Sequence, residues 1–421
     1  MKVAKFGGTS VGTAPALQRT LRLIQLLAEQ NNQLVVVISA LSQVTNQLTA
    51  IYEDAVAGHN PENELTALWQ RHQELASFFQ ADQATLTKMA LLMQHLRADV
   101  AELASRATLC ELSFARILAY GELLSSTLVA DLVIKAGLPV TWVDARSLIK
   151  TDNHYRAAMV EEELTNQLIQ THLLPLITTG QVVVTQGFIA STCNEGKTSL
   201  LGREGSDYSA ALLGAALSAA EIQIWTDVDG FMTGDPRYIL NAALIHKLSY
   251  EEAGNLARFG AKVLHPATFA PAEKQQIPIK ILNSSVVDLT QLGTLITTTP
   301  SEEKQRRIAF KTEVTLLSFV DDMSFQHFLT EEISTFGSGT LWVVDSKAKV
   351  AVVAPENKKQ LHSQIRSAQI QELAAVYLQN FPDKYPVPPE VNYQFAVPGG
   401  RLWLVAKENW QRVGAWAHNV R

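Results

Sequence analysis

The groups best suited to chemistry sit in four short segments. Residues 2–12, KVAKFGGTSVG, run a short apolar strand into Gly7-Gly8-Thr9-Ser10, with a helical pattern from about Ala14. Glycines at a strand-to-helix turn let the backbone approach a ligand, and amides at a helix start suit phosphate. Lys5, two residues before the loop, adds an ammonium. In Val35–Leu48 a buried strand ends in a polar loop offering Ser39, Ser42, Thr45 and Asn46. Those hydroxyls suit a carboxylate or phosphate, and Thr45 or Asn46 equally suits a helix cap. Thr198–Leu213 holds Gly202-Arg203-Glu204-Gly205-Ser206-Asp207 before an Ala/Leu-rich helix. Arg203 can take a carboxylate bidentately, and Asp207 can hold a substrate amine or Lys5. A simpler reading leaves Arg203 solvated and makes Ser206 or Asp207 an N-cap. Ile222–Tyr238 ends a strand at Thr226-Asp227 and opens a loop with Asp229, Asp235 and Arg237, fit to wrap a nucleotide's base and ribose; a plain turn explains its aspartates too. Lys262, in Phe259–Thr268, can reach phosphates.

No histidine base lies within the first three segments, and the ten histidines show no metal-binding spacing. Gly196-Lys197-Thr198 imitates the end of a Walker A loop but lacks its first glycine, and reads as a hairpin tip. This inventory suits phosphoryl transfer to an acceptor already ionised, since a carboxylic acid of pKa about 4 needs no general base. The difficulty is bringing two anions together: at about 4 Å, like unit charges repel by about 4 kcal/mol at an effective dielectric of 20. Ammoniums, backbone amides and Mg²⁺ offset that repulsion.

The elements that position these groups follow from the apolar pattern. Through the first 300 residues, short β-branched runs alternate with helical stretches: Val3–Phe6, Leu34–Ser39, Pro139–Val143, Val182–Ile189, Ile222–Thr226, Ile277–Leu282 and Thr294–Thr297 are the expected strands. Their continuous apolar character predicts parallel strands buried on both faces, in a three-layer α/β/α sandwich. Residues 47–132 read as almost wholly helical. A polar stretch, TTTP then SEEKQRR, reads as a linker, dividing a first domain, 1–302, from a second, 303–421. The second shows a β-α-β-β-α-β order, a ferredoxin-like pattern, with helices expected around Phe325–Thr335 and Asn357–Arg366.

With 421 residues, 47% apolar and 18% charged, the chain reads as a soluble multidomain protein. A net charge of −6 argues against a nucleic-acid binder, and two cysteines, Cys110 and Cys193, suit a reducing cytoplasm. No secretory signal is expected at the N-terminus, and no membrane span, since the apolar stretch Ala210–Ala220 is too short.

KFGGTSV, SA-x4-TN, YGELLSST (Tyr120–Thr127), TQGFI (Thr185–Ile189), LGREGSDY, WTDVDGFMTGDPR and FGAKVLHPAT, in that order over roughly residues 1–300, resemble the aspartate kinases of the amino-acid kinase family. The resemblance implies the amino-acid kinase fold and ATP-dependent phosphorylation of the side-chain carboxylate of L-aspartate to 4-phospho-L-aspartate. That is the first step toward lysine, threonine, methionine and diaminopimelate. It implies that Lys5 sits on the transferring phosphoryl group, with Gly7, Gly8, Thr9 and Ser10 cradling phosphate. Thr45, with Ser39, holds the reacting carboxylate; Glu122 takes the α-ammonium and Arg203 the α-carboxylate. Ser206 and Asp207 complete the pocket, and Asp207 orients Lys5. Thr226, Asp227, Arg237 and Lys262 match nucleotide-contacting positions. Lys5, Asp207 and Lys262 are thus the expected catalytic set, and Mg²⁺ arrives on the ATP phosphates without a protein ligand set. Glu204 stands where many relatives have glycine; its amide still donates if φ is negative, and its carboxylate is expected to point away or pair with a cation. Met232 replaces an aromatic residue often found against the nucleotide. The family carries two ACT modules that bind lysine or threonine. Here about one module and a remnant are expected, serving dimerisation, and Asp321–His327 lacks the glycine that opens the effector turn, so weak feedback is expected. Another amino-acid kinase, or a non-catalytic homologue, remains an alternative at this point.

Overall fold

Val3, Ala4 and Phe6 are wholly buried, because β1 (Lys2–Phe6) lies between parallel neighbours on both sides. The structure, a computed structural model, describes all residues except 31–32, 107, 203, 262, 265–267, 301, 303–304, 333–340, 354–367, 382–385 and 420–421. Its residues fall into two units, Met1–Gly230 with Ala267–Thr299, and Phe231–Pro266 with Pro300–Arg421. By this division Phe231–Pro266 groups with the C-terminal residues.

In the first unit β1 is followed by a single helical turn, α1 (Gly8–Val11), and by α2 (Ala14–Gln30), β2 (Leu34–Ile38), α3 (Val44–Val56), α4 (Glu62–Phe78), α5 (Gln83–Arg106) and α6 (Glu111–Lys135). Then come β3 (Val140–Val143), β4 (Lys150–Thr151), α7 (Glu162–Thr178), β5 (Val182–Gln186), β6 (Ile189–Thr192), β7 (Thr198–Leu200), α8 (Gly205–Ala216) and β8 (Glu221–Thr226). The chain contributes β9 (Lys247–Ser249) and α9 (Tyr250–Arg258) to the second unit and returns as α10 (Phe269–Lys274), β10 (Ile279–Asn283) and β11 (Thr294–Thr297). Within the first unit the strand order is β3-β5-β2-β1-β8-β10-β11, parallel except for the β10–β11 pair. Helices α2 and α6 pack on one face, and α7 and α8 on the other, giving the expected α/β/α layers.

Two expectations change here. Val182–Ile189 is not one strand: the chain turns at Gly187-Phe188, where Phe188 adopts a left-handed φ of 68°, and β6 pairs instead with β7 around the tip at Gly196. A second correction concerns α6, whose 25 residues are long and apolar enough to cross a membrane. The helix is instead buried against β2, β3 and β5, so its apolar character belongs to the core.

The second unit holds a six-stranded sheet of β12 (Arg307–Phe319), β13 (Leu341–Asp345), β14 (Val350–Val353), β15 (Ala368–Gln379), β16 (Val391–Val397) and β17 (Gly400–Val405), with helices α11 (Asp322–His327) and α12 (Trp410–Asn419). The order β13-β14-β12-β15 is the ferredoxin-like arrangement, extended by β17 and β16 as the remnant. The helix expected around Asn357–Arg366 lies outside the described residues. Helix α11 starts earlier than expected, because Asp321 caps it, accepting from the Ser324 amide at 2.7 Å. The expected linker is also shorter: Arg307 already belongs to β12 and is 1% exposed, its guanidinium 2.5 Å from Glu252 and 3.0 Å from Gln379. Separate cores form around Phe325 with Phe319, and around Trp403 with Trp410.

Candidate functional site

Parallel register sets the site, because neighbouring strands end together. Phe6 pairs with Ile38 and Trp225, and Ile38 with Gln186, so β1, β2, β5 and β8 stop on one line. The backbone continues across that line: Gly7 N–H donates to Trp225 O, Ser39 N–H to Phe6 O, and Gly187 N–H to Ile38 O, at 3.0–3.2 Å. The carboxyl ends of parallel strands are where such sheets bind ligands.

Lys5 stands at the end of β1 beneath this line, with its ammonium 2.5 Å from Asp207 Oδ1 and both side chains under a tenth exposed. Asp207 reaches Lys5 because α8 begins tight against the sheet. A Cβ on Gly187 would fall 2.5 Å from Ser206 Cα, so only glycine admits α8 so close. The N-cap of α8 is Glu204, which makes no side-chain cap bond. Ser206 and Asp207 therefore lie inside the first turn, buried and available to the site, and the capping alternative is set aside. Glu204 itself has φ 52°, so the condition set for its amide, a negative φ, is not met: this is a left-handed position that favours glycine.

The glycine loop meets the Ser39–Gln43 loop without side chains between them. Ser42 N–H donates to Gly8 O at 3.0 Å, and a Cβ on Gly8 would lie 2.8 Å from Ala40 O. Gly7 is buried within reach of Lys5, its Cβ position 3.6 Å from the ammonium, and Thr9 is exposed at the loop. Ser10, also expected at the phosphate, has partners within the fold. Its amide donates to Gly7 O and its hydroxyl lies 2.7 Å from that of Ser284, so both are used inside the fold. Thr45 does not cap α3, whose N-cap is Gln43 at φ 68°; it is half-buried in the first turn. Ser39 is buried, and its carbonyl accepts from Ser125 on α6.

Glu122 faces the same loop from α6 and is 3% exposed. One carboxylate oxygen receives a long 3.4 Å bond from the Ala40 amide, and the other has no hydrogen-bond partner among the described residues. Burial pushes its pKa up to about 8. Among the described residues no cation pairs with this buried group.

Thr226 and Asp227 end β8 on the strand-end line; Thr226 O accepts from Ser284, and Asp227 is exposed. Arg237 belongs to the second unit, where it is exposed and forks onto Asp235. Arg203 and Lys262 lie outside the described residues, so the structure adds nothing to their expected roles. Thus it brings Lys5, Gly7, Gly8, Thr9, Ser39, Thr45, Glu122, Ser206, Asp207, Thr226 and Asp227 to one unit's strand-end edge.

Residues 1–283 match the model of the amino acid kinase family. The chain belongs to that family. Within it, it groups with the aspartokinases: it is 35% identical to lysine-sensitive aspartokinase 3 of Escherichia coli over 75% of this chain and 68% of that protein. It is 34% identical to an aspartokinase of Chlamydia trachomatis, over 72% of this chain and 66% of that protein. Against plant bifunctional aspartokinase/homoserine dehydrogenases it spans only about a third of the relative, 33% in the Arabidopsis thaliana protein. Among solved structures, E. coli aspartokinase III with aspartate and ADP, in its R-state, superposes with a TM-score of 0.85 at 27% identity, covering 100% of this chain and 99% of that one. The same enzyme with lysine and aspartate, in its T-state, gives 0.79 at 26% identity, covering 99% and 98%. The aspartokinase fold is thus present over the whole chain.

Proposed function

We propose that this aspartokinase transfers the terminal phosphoryl group of ATP to the side-chain carboxylate of L-aspartate, giving 4-phospho-L-aspartate and ADP in amino-acid biosynthesis. The observation that carries the reading is the buried Lys5–Asp207 pair at the end of the central strand, beside two glycines. In the reaction an aspartate carboxylate oxygen bonds to phosphorus, the bond to the bridging oxygen breaks, and ADP leaves with that electron pair. No proton moves, which accounts for a site whose work is charge neutralisation. Asp207 holds Lys5 with its ammonium beside Gly7, where the negative charge of the transferring group is met. Glu122 takes the α-ammonium, and Ser39 and Thr45 hold the reacting carboxylate. Arg203 takes the α-carboxylate; Thr226, Asp227, Arg237 and Lys262 contact the nucleotide. Mg²⁺ on the phosphates supplies further neutralisation when bound, a role that suits the oxygen donors of a triphosphate. Asp227, exposed just past the end of β8, would offer that ion a hard oxygen. We further place the enzyme in the cytoplasm, as a homodimer through its C-terminal sheet.

The test is to incubate the protein with Mg-ATP, hydroxylamine and a panel of amino and other carboxylic acids, and to measure trapped hydroxamate. Aspartate-dependent product supports the proposal. Product from glutamate or an acylated amino acid instead, or none at all, refutes it.

A further inference from the structure

The four helices α3–α6 carry one side chain that reaches both loops of the site. Arg71, on α4, donates from one guanidinium nitrogen to Ser42 O at 2.6 Å and from the other to Gly12 O at 3.0 Å. Gly12 closes the turn that begins with Gly7 and Gly8, and Ser42 lies in the loop between β2 and α3 that carries Ser39 and precedes Thr45. The loops already touch at Ser42 N–H to Gly8 O. A Cβ on Gly12 would fall 2.8 Å from Gly8 O and 3.0 Å from Ser42 Cβ, so nothing but hydrogen fits between them. One glycine seam and one planar fork therefore fix a single separation between the two loops. A guanidinium presents its donors in a rigid plane and cannot lose its charge, so it holds two carbonyls at set distances as a flexible ammonium does not.

We propose that Arg71 is a positioning residue that sets the distance between the phosphoryl-donor loop and the acceptor loop. The inference rests on the aspartate-phosphorylating reading of the site. Arg71 acts through Gly12 and Ser42, whose carbonyl oxygens it holds. Its contribution falls on kcat, because each loop still binds its own ligand when the fork is removed, while the approach of carboxylate oxygen to phosphorus is lost. Misplacement by about 1 Å costs a reaction of this kind about 10²-fold.

The experiment compares the full chain with Arg71→Met, Arg71→Lys and Arg71→Ala. We expect kcat to fall about 10–100-fold in the methionine and lysine variants, with KM for ATP and for aspartate each within about threefold. We expect methylguanidinium to restore activity to the alanine variant, a rescue that a loss of general stability does not show. Hydrogen exchange read at the Ser42 amide separates the two levels of the argument, since it needs no turnover. Faster Ser42 exchange in Arg71→Met, with exchange in β1 and β2 unchanged, supports the clamp even if the wild-type chain traps no hydroxamate, a result that sinks only the functional reading. Unchanged Ser42 exchange overturns the clamp whatever the activity, as does a kcat within twofold of wild type.

Discussion

Replacing Glu122 by glutamine removes a charge and keeps the shape, and its consequences can be worked from the structure. The carboxyl has a pKa of about 8, against 4.5 for an ordinary glutamate, because burial opposes its ionisation. A difference of that size corresponds to about 5 kcal/mol at 1.36 kcal/mol per unit. The sign follows from proton counting: between pH 4.5 and about 8 the folded chain keeps a proton that the unfolded chain has lost, so stability falls as pH rises through this window. At pH 7 the loss amounts to about 3 kcal/mol and is complete above pH 8. Glutamine does not titrate, so Glu122→Gln abolishes this slope. Its own amide is left with an unmade bond, costing about 1–3 kcal/mol at every pH, so the slope rather than the absolute stability is the diagnostic. The assay is the melting temperature of wild type and variant from pH 5 to 8.5, with and without aspartate. We expect the wild type to lose stability relative to the variant across that range, and aspartate to restore it in the wild type alone. In steady state, kcat/KM for aspartate should rise with pH toward about 8 in the wild type, and in the variant should be flat and lower by about 10²-fold or more. Parallel melting curves for the two proteins, or an aspartate KM within twofold of wild type, would refute both the unpartnered carboxylate and its role in binding the amine.

Further outcomes follow from the same geometry. Lys5→Met should lower kcat about 10²–10³-fold, checked in the hydroxamate assay, with circular dichroism verifying the fold because Asp207 loses its buried partner. Glu204→Gly relieves a left-handed non-glycine residue and should raise stability by about 0.5–1 kcal/mol in chemical denaturation while keeping most activity; complete loss of turnover would give the carboxylate a direct role. His72 is fully buried and burial lowers its pKa from 6.5 to about 4. Stability is therefore lost as pH falls from 6.5 to 4, by about 3 kcal/mol in all, and His72→Leu should remove that slope from a pH series of melting curves. Finally, millimolar lysine or threonine should change the rate by less than twofold, since Asp321 caps α11 where the effector turn normally has its glycine; strong inhibition by either would contradict this.

The central strands of the first unit, β1, β2, β5 and β8, were legible because they are buried along most of their length and so written as mostly apolar runs. What escaped notice depends on contacts distant in sequence. Arg307 ends a charged run that reads as linker, yet lies buried because Glu252, far earlier in the chain, pairs with it. The break at Gly187-Phe188 is set by a left-handed Phe188 and by the approach of Ser206, neither of which has a local sequence signature. Glycine-rich loops announced the Lys5 side of the site, since close backbone approach demands that residue type. Glu122 did not announce itself: it sits in a helix apolar on all sides, and only the likeness of YGELLSST to a family motif marked it. Arg71 carried no mark at all, because its partners are carbonyl oxygens, which every residue possesses.

A common physical origin links the features hardest to read. Gln43, Phe188 and Glu204 hold left-handed backbone conformations, and all three stand in loops just beyond the strand-end line. Glu122, on the helix behind that line, is a buried carboxyl group whose ionisation burial opposes. Local preference opposes each of them, so each persists only because the surrounding core over-determines it. The core here is a seven-strand layer covered on both faces, with side chains such as Val37, Ile38 and Trp225 wholly buried. A site made of such residues is fixed before its ligands arrive, which suits a reaction whose barrier lies in holding two anions together rather than in moving a proton. It follows that a sequence without these costs would fold more stably and catalyse less well, and that the positions where local rules fail are those where a search for function should begin.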